Sequence, residues 1–132
     1  MNPDVYTEII LDYYKYPRNK GKVTNPDIVF KDTNPLCGDV IEMSIRVNSN
    51  HIKEIKFEGN GCAISQASAS LLTDMVQGKS LEEIKNLTKE ELLENLGAPN
   101  LGHVRVKCAL LSLKVLKYGV YNYLGEKLEF QD

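Results

Sequence analysis

From Val40 to Val47 apolar and polar residues alternate, with Ile41, Met43, Ile45 and Val47 on one side and Glu42, Ser44 and Arg46 on the other. A period of two predicts a strand with one buried face. Asn48-Ser49-Asn50-His51 is a run of turn formers, and the strand pattern resumes from Ile52 to Glu58 through Ile55 and Phe57, so a hairpin is expected here. Elsewhere the period lengthens to that of a helix. Asn2 and Pro3 form a cap and first residue for a helix carrying Val5, Ile9 and Tyr13, which should stop before Pro17. Residues 18–36 show little periodicity and read as mostly irregular. After Gly61 a stripe of Ile64, Ala67, Leu71 and Met75 predicts a helix ended by Gly78. Ser80 with Glu83 and Thr88 with Glu91 are capping-box pairs, and Gly97 and Pro99 should close the second of these helices. A last helix is expected to begin near Arg105 to Cys108, with Ala109, Leu113, Leu116, Val120 and Leu124 as its apolar stripe.

One helix, a small antiparallel sheet and then several helices predict an α+β fold with helices on one face of the sheet and the N-terminal helix first. The chain of 132 residues fits one domain, taken as residues 1–132, since domains commonly run about 100–150 residues. A net charge of −2 without any Lys/Arg run argues against nucleic acid as a partner. No apolar run approaches the roughly 20 residues of a membrane span. No basic segment followed by an apolar one stands at the N-terminus, so a cytoplasmic protein is expected.

The three cysteines change the picture most. Cys37 lies in Asn34-Pro35-Leu36-Cys37-Gly38-Asp39, Cys62 follows Gly59-Asn60-Gly61, and Cys108 follows Arg105-Val106-Lys107. An odd number of thiols in a cytosolic chain favours metal binding or catalysis over a disulfide framework. Cys37 precedes the first strand of the hairpin and Cys62 follows the second, so antiparallel pairing should make them neighbours. Cys62 and Cys108 both fall at expected helix starts, where unpaired N–H groups and the helix dipole favour a thiolate.

Three thiolates and the Asp39 carboxylate supply the four ligands of tetrahedral zinc or of a [2Fe–2S] cluster. Soft sulfur selects such metals over magnesium or calcium. Asp39 is a poorer partner for iron sulfide than a fourth thiolate, which suits a cluster that must be released. The plain alternative is three unrelated buried cysteines, since free Cys often serves as a small core hydrophobe. Arg105 and Lys107 either help to hold the cysteines or form a solvated face. His51 reads as a turn residue, His103 as a loop residue, and Ser65, Ser68 and Ser70 as small-residue helix packing. No Gly-x-Ser-x-Gly pattern or Gly-rich phosphate loop supports a hydrolase or a nucleotide site.

Several separated segments resemble the IscU/NifU/SufU family of iron–sulfur cluster assembly scaffolds, including the NifU N-terminal domain, over nearly the whole chain. They are Tyr16-Pro17-Arg18-Asn19-Lys20-Gly21, Cys37-Gly38-Asp39, Phe57 through Ser65 around Cys62, Gly78-Lys79-Ser80-Leu81, and Val106-Lys107-Cys108-Ala109-Leu110. The resemblance implies a scaffold or carrier rather than an enzyme. Cys37, Asp39, Cys62 and Cys108 would hold a labile [2Fe–2S] cluster, or zinc in the same site, and Asp39 would ligate or govern release. A cysteine desulfurase would supply sulfur and apo iron–sulfur proteins would receive the cluster. The scaffold would work as a monomer or a cluster-bridged homo-oligomer.

Two departures bear on the subtype. Lys107 stands where IscU proteins carry a histidine, as in SufU-type members, and Leu101-Gly102-His103-Val104-Arg105 replaces the segment that a dedicated chaperone reads in IscU. The spacing between Cys62 and Cys108, by contrast, is close to that of IscU and lacks the SufU insertion. The rival to a scaffold is therefore a zinc-bound sulfurtransferase, in which zinc poises Cys108 as the sulfur acceptor.

Overall fold

The structure is a computed structural model and describes residues 8–98, 101–126 and 128. Its central element is the expected hairpin, β2 (Asp39–Asn48) with β3 (His51–Asn60). Ser49 and Asn50 turn the chain with φ of 52° and 61°, the two left-handed positions of a tight turn whose twist matches that of the strands. Ile41 faces Gly59, Met43 faces Phe57 and Ile45 faces Ile55 across the pair. These apolar side chains are buried, and a bulge falls between Arg46 and Val47.

A third strand, β1 (Ile28–Asn34), pairs antiparallel with β2 from Ile28↔Ile45 to Asn34↔Asp39, giving the sheet order β1-β2-β3. This corrects the expectation that residues 18–36 are mostly irregular. The strand was hidden because its alternation is broken: Val29 is apolar but 55% exposed, while Asp32 and Asn34 take inner positions. The approach to β1 is also tied down. Asn19 and Gly21 exchange backbone hydrogen bonds with Phe57, and the Val23 N–H donates to the Ser44 hydroxyl at 2.9 Å.

The helices are α1 (Glu8–Lys15), α2 (Ala63–Val76), α3 (Leu81–Lys85), α4 (Lys89–Asn95) and α5 (His103–Leu124). The α+β fold is as expected, with α2 and α5 packed against the sheet and α1 against α2. Ile64, Ala67, Leu72 and Val76 from α2 meet Ala109, Leu113, Leu116 and Val120 from α5 in one core with the inner face of the sheet. Both capping boxes form: Ser80 and Glu83, and Thr88 and Glu91, satisfy each other's backbone N–H groups, each cap worth about 1 kcal/mol. The expected start of α1 at Asn2 and Pro3, and Pro99 beyond α4, lie outside the described residues. No helix among them is long and apolar enough to cross a membrane.

Candidate metal centre

Asn34, the last residue of β1, organises the turn that carries Cys37. Its carbonyl accepts from the Cys37 N–H at 3.2 Å and the Gly38 N–H at 2.8 Å, and its side-chain Oδ1 accepts from the Leu36 N–H at 3.2 Å. Asn favours such turns because its amide mimics a backbone group. Gly38 completes the reversal at φ 71°. Cys37 is thereby held exposed at the tip, while Asp39, the first residue of β2, is fully buried.

Beyond β3 the chain returns through Gly61 to Cys62, the N-cap of α2. The Cys62 sulfur accepts from the Ser65 N–H at 3.5 Å, and the Cys62 N–H donates to Asp39 Oδ1 at 2.9 Å. The expected helix-start placement of Cys62 holds. That of Cys108 does not. α5 begins at His103, so Cys108 lies in its second turn and is buried. Burial first, then a hydrogen bond with Cys37, the charge of Cys62 and the nearby Asp39, push the Cys108 thiol up rather than down.

Cys108 reaches the site because α2 and α5 approach closely through serines. The Ser68 hydroxyl donates to the Ala109 carbonyl at 2.5 Å and lies 3.0 Å from the Ser112 hydroxyl. The sulfurs of Cys37 and Cys108 are 2.9 Å apart, and ligand atoms of Cys37, Asp39 and Cys108 all lie within 4.8 Å of one another. Cys62 falls outside that set, so the hairpin brings its backbone, not its sulfur, into closest contact with the cluster. Sequence reasoning missed Asn34, whose Nδ2 points at Cys108 Sγ from 3.8 Å; its place just before Pro-Leu-Cys was the available signal. Arg105 and Lys107 are half-buried on the first turns of α5. Lys107 lines a cavity of about 300 Å³ beside the Cys37 turn, together with Asn34, Leu36 and Lys114. His51 opens β3 and is exposed, and His103 is exposed at the start of α5.

The donor set fits a soft metal. Asp39 Oδ2 is buried and has no hydrogen-bond partner, a state that costs about 1–3 kcal/mol unless a ligand satisfies it. Two sulfurs on one tetrahedral ion at about 2.3 Å would stand about 3.8 Å apart, so Cys37, on its exposed turn, must draw back slightly to admit one.

The NifU-like N terminal domain family model matches residues 5–129. The chain belongs to this NifU/IscU/SufU-like family of iron–sulfur cluster scaffolds. A family protein of Bacillus subtilis (strain 168), named zinc-dependent sulfurtransferase SufU, is 37% identical over 88% of this chain and 89% of its own length. The Archaeoglobus fulgidus protein named iron–sulfur cluster assembly scaffold protein IscU 1 is 34% identical over 90% of this chain and 76% of its own. Among solved structures, a putative iron–sulfur cluster assembly scaffold protein for the SUF system from Fervidobacterium islandicum AW-1 superposes with a TM-score of 0.80 at 29% identity, covering 91% of this chain and 99% of that one.

Proposed function

We propose that the protein is a scaffold on which Cys37, Cys62, Cys108 and Asp39 hold a nascent [2Fe–2S] cluster as cargo, built from iron and from sulfur accepted at the thiols. The observation that carries this reading is the buried Asp39 carboxylate, one oxygen of which has no hydrogen-bond partner, with an oxygen within 4.8 Å of the Cys37 and Cys108 sulfurs. One hard oxygen among soft sulfurs makes a weaker iron–sulfur site than four thiolates, which suits a carrier. A cysteine desulfurase is the sulfur donor that family membership suggests, and apo iron–sulfur proteins are the recipients. Exposed Cys37 is positioned to meet the donor first, with buried Cys108 directly behind it.

Anaerobic incubation with iron, L-cysteine and a desulfurase should develop the visible absorption of a [2Fe–2S] cluster, which then moves to an apo-ferredoxin. A colourless protein that retains zinc tightly through this treatment, and that speeds desulfurase turnover, would support the second reading of a zinc-bound sulfurtransferase. The Bacillus relative's name favours that reading. The Archaeoglobus relative's name favours the scaffold.

A further inference from the structure

We propose that the Cys37–Cys108 pair reduces incoming persulfide sulfur to sulfide, with its own two thiols as the source of electrons. This rests on the reading above that the thiols accept sulfur, and it adds the step that turns a sulfane sulfur into the sulfide a cluster requires.

The two sulfurs stand 2.9 Å apart. Ligands of one tetrahedral ion would be about 3.8 Å apart, and a disulfide spans about 2.05 Å. The pair is thus closer than shared metal binding asks and within a small movement of a bond. The two positions also differ in access. Cys37 is exposed on the Pro35–Gly38 turn, where a protein persulfide donor can reach it, whereas Cys108 is 1% exposed and meets no donor directly. Asn34 fixes the turn through its main-chain carbonyl and Oδ1 and directs Nδ2 at the Cys108 sulfur, so one residue touches both the turn that carries Cys37 and the Cys108 sulfur.

A donor cysteine persulfide passes its outer sulfur to the Cys37 thiol and becomes a thiol. The Cys108 sulfur then attacks the inner sulfur of the Cys37 persulfide. A Cys37–Cys108 bond forms, the bond to the outer sulfur breaks, and its electron pair leaves with that sulfur. The outer sulfur is reduced to sulfide, and each cysteine sulfur is oxidised by one electron. The thiol proton of Cys108 and the proton of the persulfide depart with it as hydrogen sulfide, released beside Asp39. Hydrosulfide is less basic than an alkyl thiolate and so leaves more readily. A dithiol reductant reopens the disulfide for the next round.

The test treats the full chain, iron-free and anaerobic, with N-acetylcysteine persulfide, and in parallel with the corresponding N-acetylcysteine disulfide, followed by intact mass and peptide mapping. The wild-type chain should lose the mass of two hydrogens and yield a Cys37–Cys108 linked peptide roughly tenfold faster with the persulfide than with the disulfide. Cys108→Ala should instead retain a persulfide on Cys37, seen as the mass of one added sulfur. Cys37→Ser, at an exposed position that leaves the core intact, should give neither product. A wild-type chain that accumulates a stable persulfide, or that cross-links no faster than with the disulfide, overturns the proposal. Iron with inorganic sulfide separates the two readings. A [2Fe–2S] chromophore in this arm, together with no cross-link in the persulfide arm, sinks the reduction step alone, while no chromophore here and no sulfur uptake from the persulfide by any variant sinks the scaffold reading as well.

Discussion

A methyl group on Gly61 would overlap the Asp39 carboxylate, standing 2.9 Å from Asp39 Cα and nearer still to Oδ1. Gly61 also holds φ 144°, a conformation open to glycine and strained for other residues. The Asp39 side chain thus keeps its buried position, and its bond from the Cys62 N–H, only because nothing projects from Gly61. Gly61→Ala should lower the stability of the metal-free protein by about 1–3 kcal/mol and weaken metal retention. Thermal melting and a zinc competition assay check both; an unchanged melting temperature with unchanged zinc affinity would contradict the account.

Asp39→Ala removes the proposed hard ligand and the acceptor for the Cys62 N–H. If the carboxylate makes the cluster easy to release, the variant should hold its cluster longer and pass it to an apo-ferredoxin more slowly. The decay of visible absorption with and without acceptor measures this. Faster release from the variant would show that Asp39 secures the cargo instead.

The raised Cys108 thiol predicts a pH dependence of definite sign. An unfolded chain loses a thiol proton at about pH 8.5, whereas the folded chain keeps it to higher pH. Above that point the native state binds more protons than the unfolded state, so stability falls as pH rises, and below it the effect vanishes. The melting temperature of the metal-free protein should therefore decline from about pH 8.5 to 10, and more gently in Cys108→Ser. Equal declines in the two proteins would remove Cys108 as the cause.

Asn34→Ala deletes the Oδ1 bond to the Leu36 N–H and the Nδ2 approach to Cys108. Groups that orient metal ligands typically alter affinity by about 10–100-fold when lost. A weakening in that range is expected in zinc competition, together with slower cluster formation. Asn34→Asp should rescue the turn, since it keeps the acceptor, but should not restore the donor at the sulfur.

The hairpin, both capping boxes and the apolar stripes of α2 and α5 were legible because each rests on local chemistry. Ser80 and Glu83 need only each other, and Ile41, Met43 and Ile45 need only a period of two. β1 was not legible. Its side chains answer to neighbours far along the chain, and polar Asp32 and Asn34 replace the apolar residues that would have marked an inner face. The start of α5 was misplaced for a related reason: its N-cap is Gly102, which makes no side-chain capping bond, so no signal marks the boundary and Cys108 was read as the first turn. Three of the four expected site residues come together, and the membership of Cys108 depends on the α2–α5 packing at Ser68, which no local pattern encodes.

Gly119 lets α5 lie close on β1, where a methyl group would press on Ile28 at 3.0 Å and Phe30 at 3.3 Å. Strand and helix pack directly on one another, and Asn34 and Cys108 belong to these two elements. Cys37 and Gly38 stand on the turn at the end of the strand. Among the described residues, Cys37 is thus the side of the proposed site that a partner can reach, with Asp39 and Cys108 buried behind it.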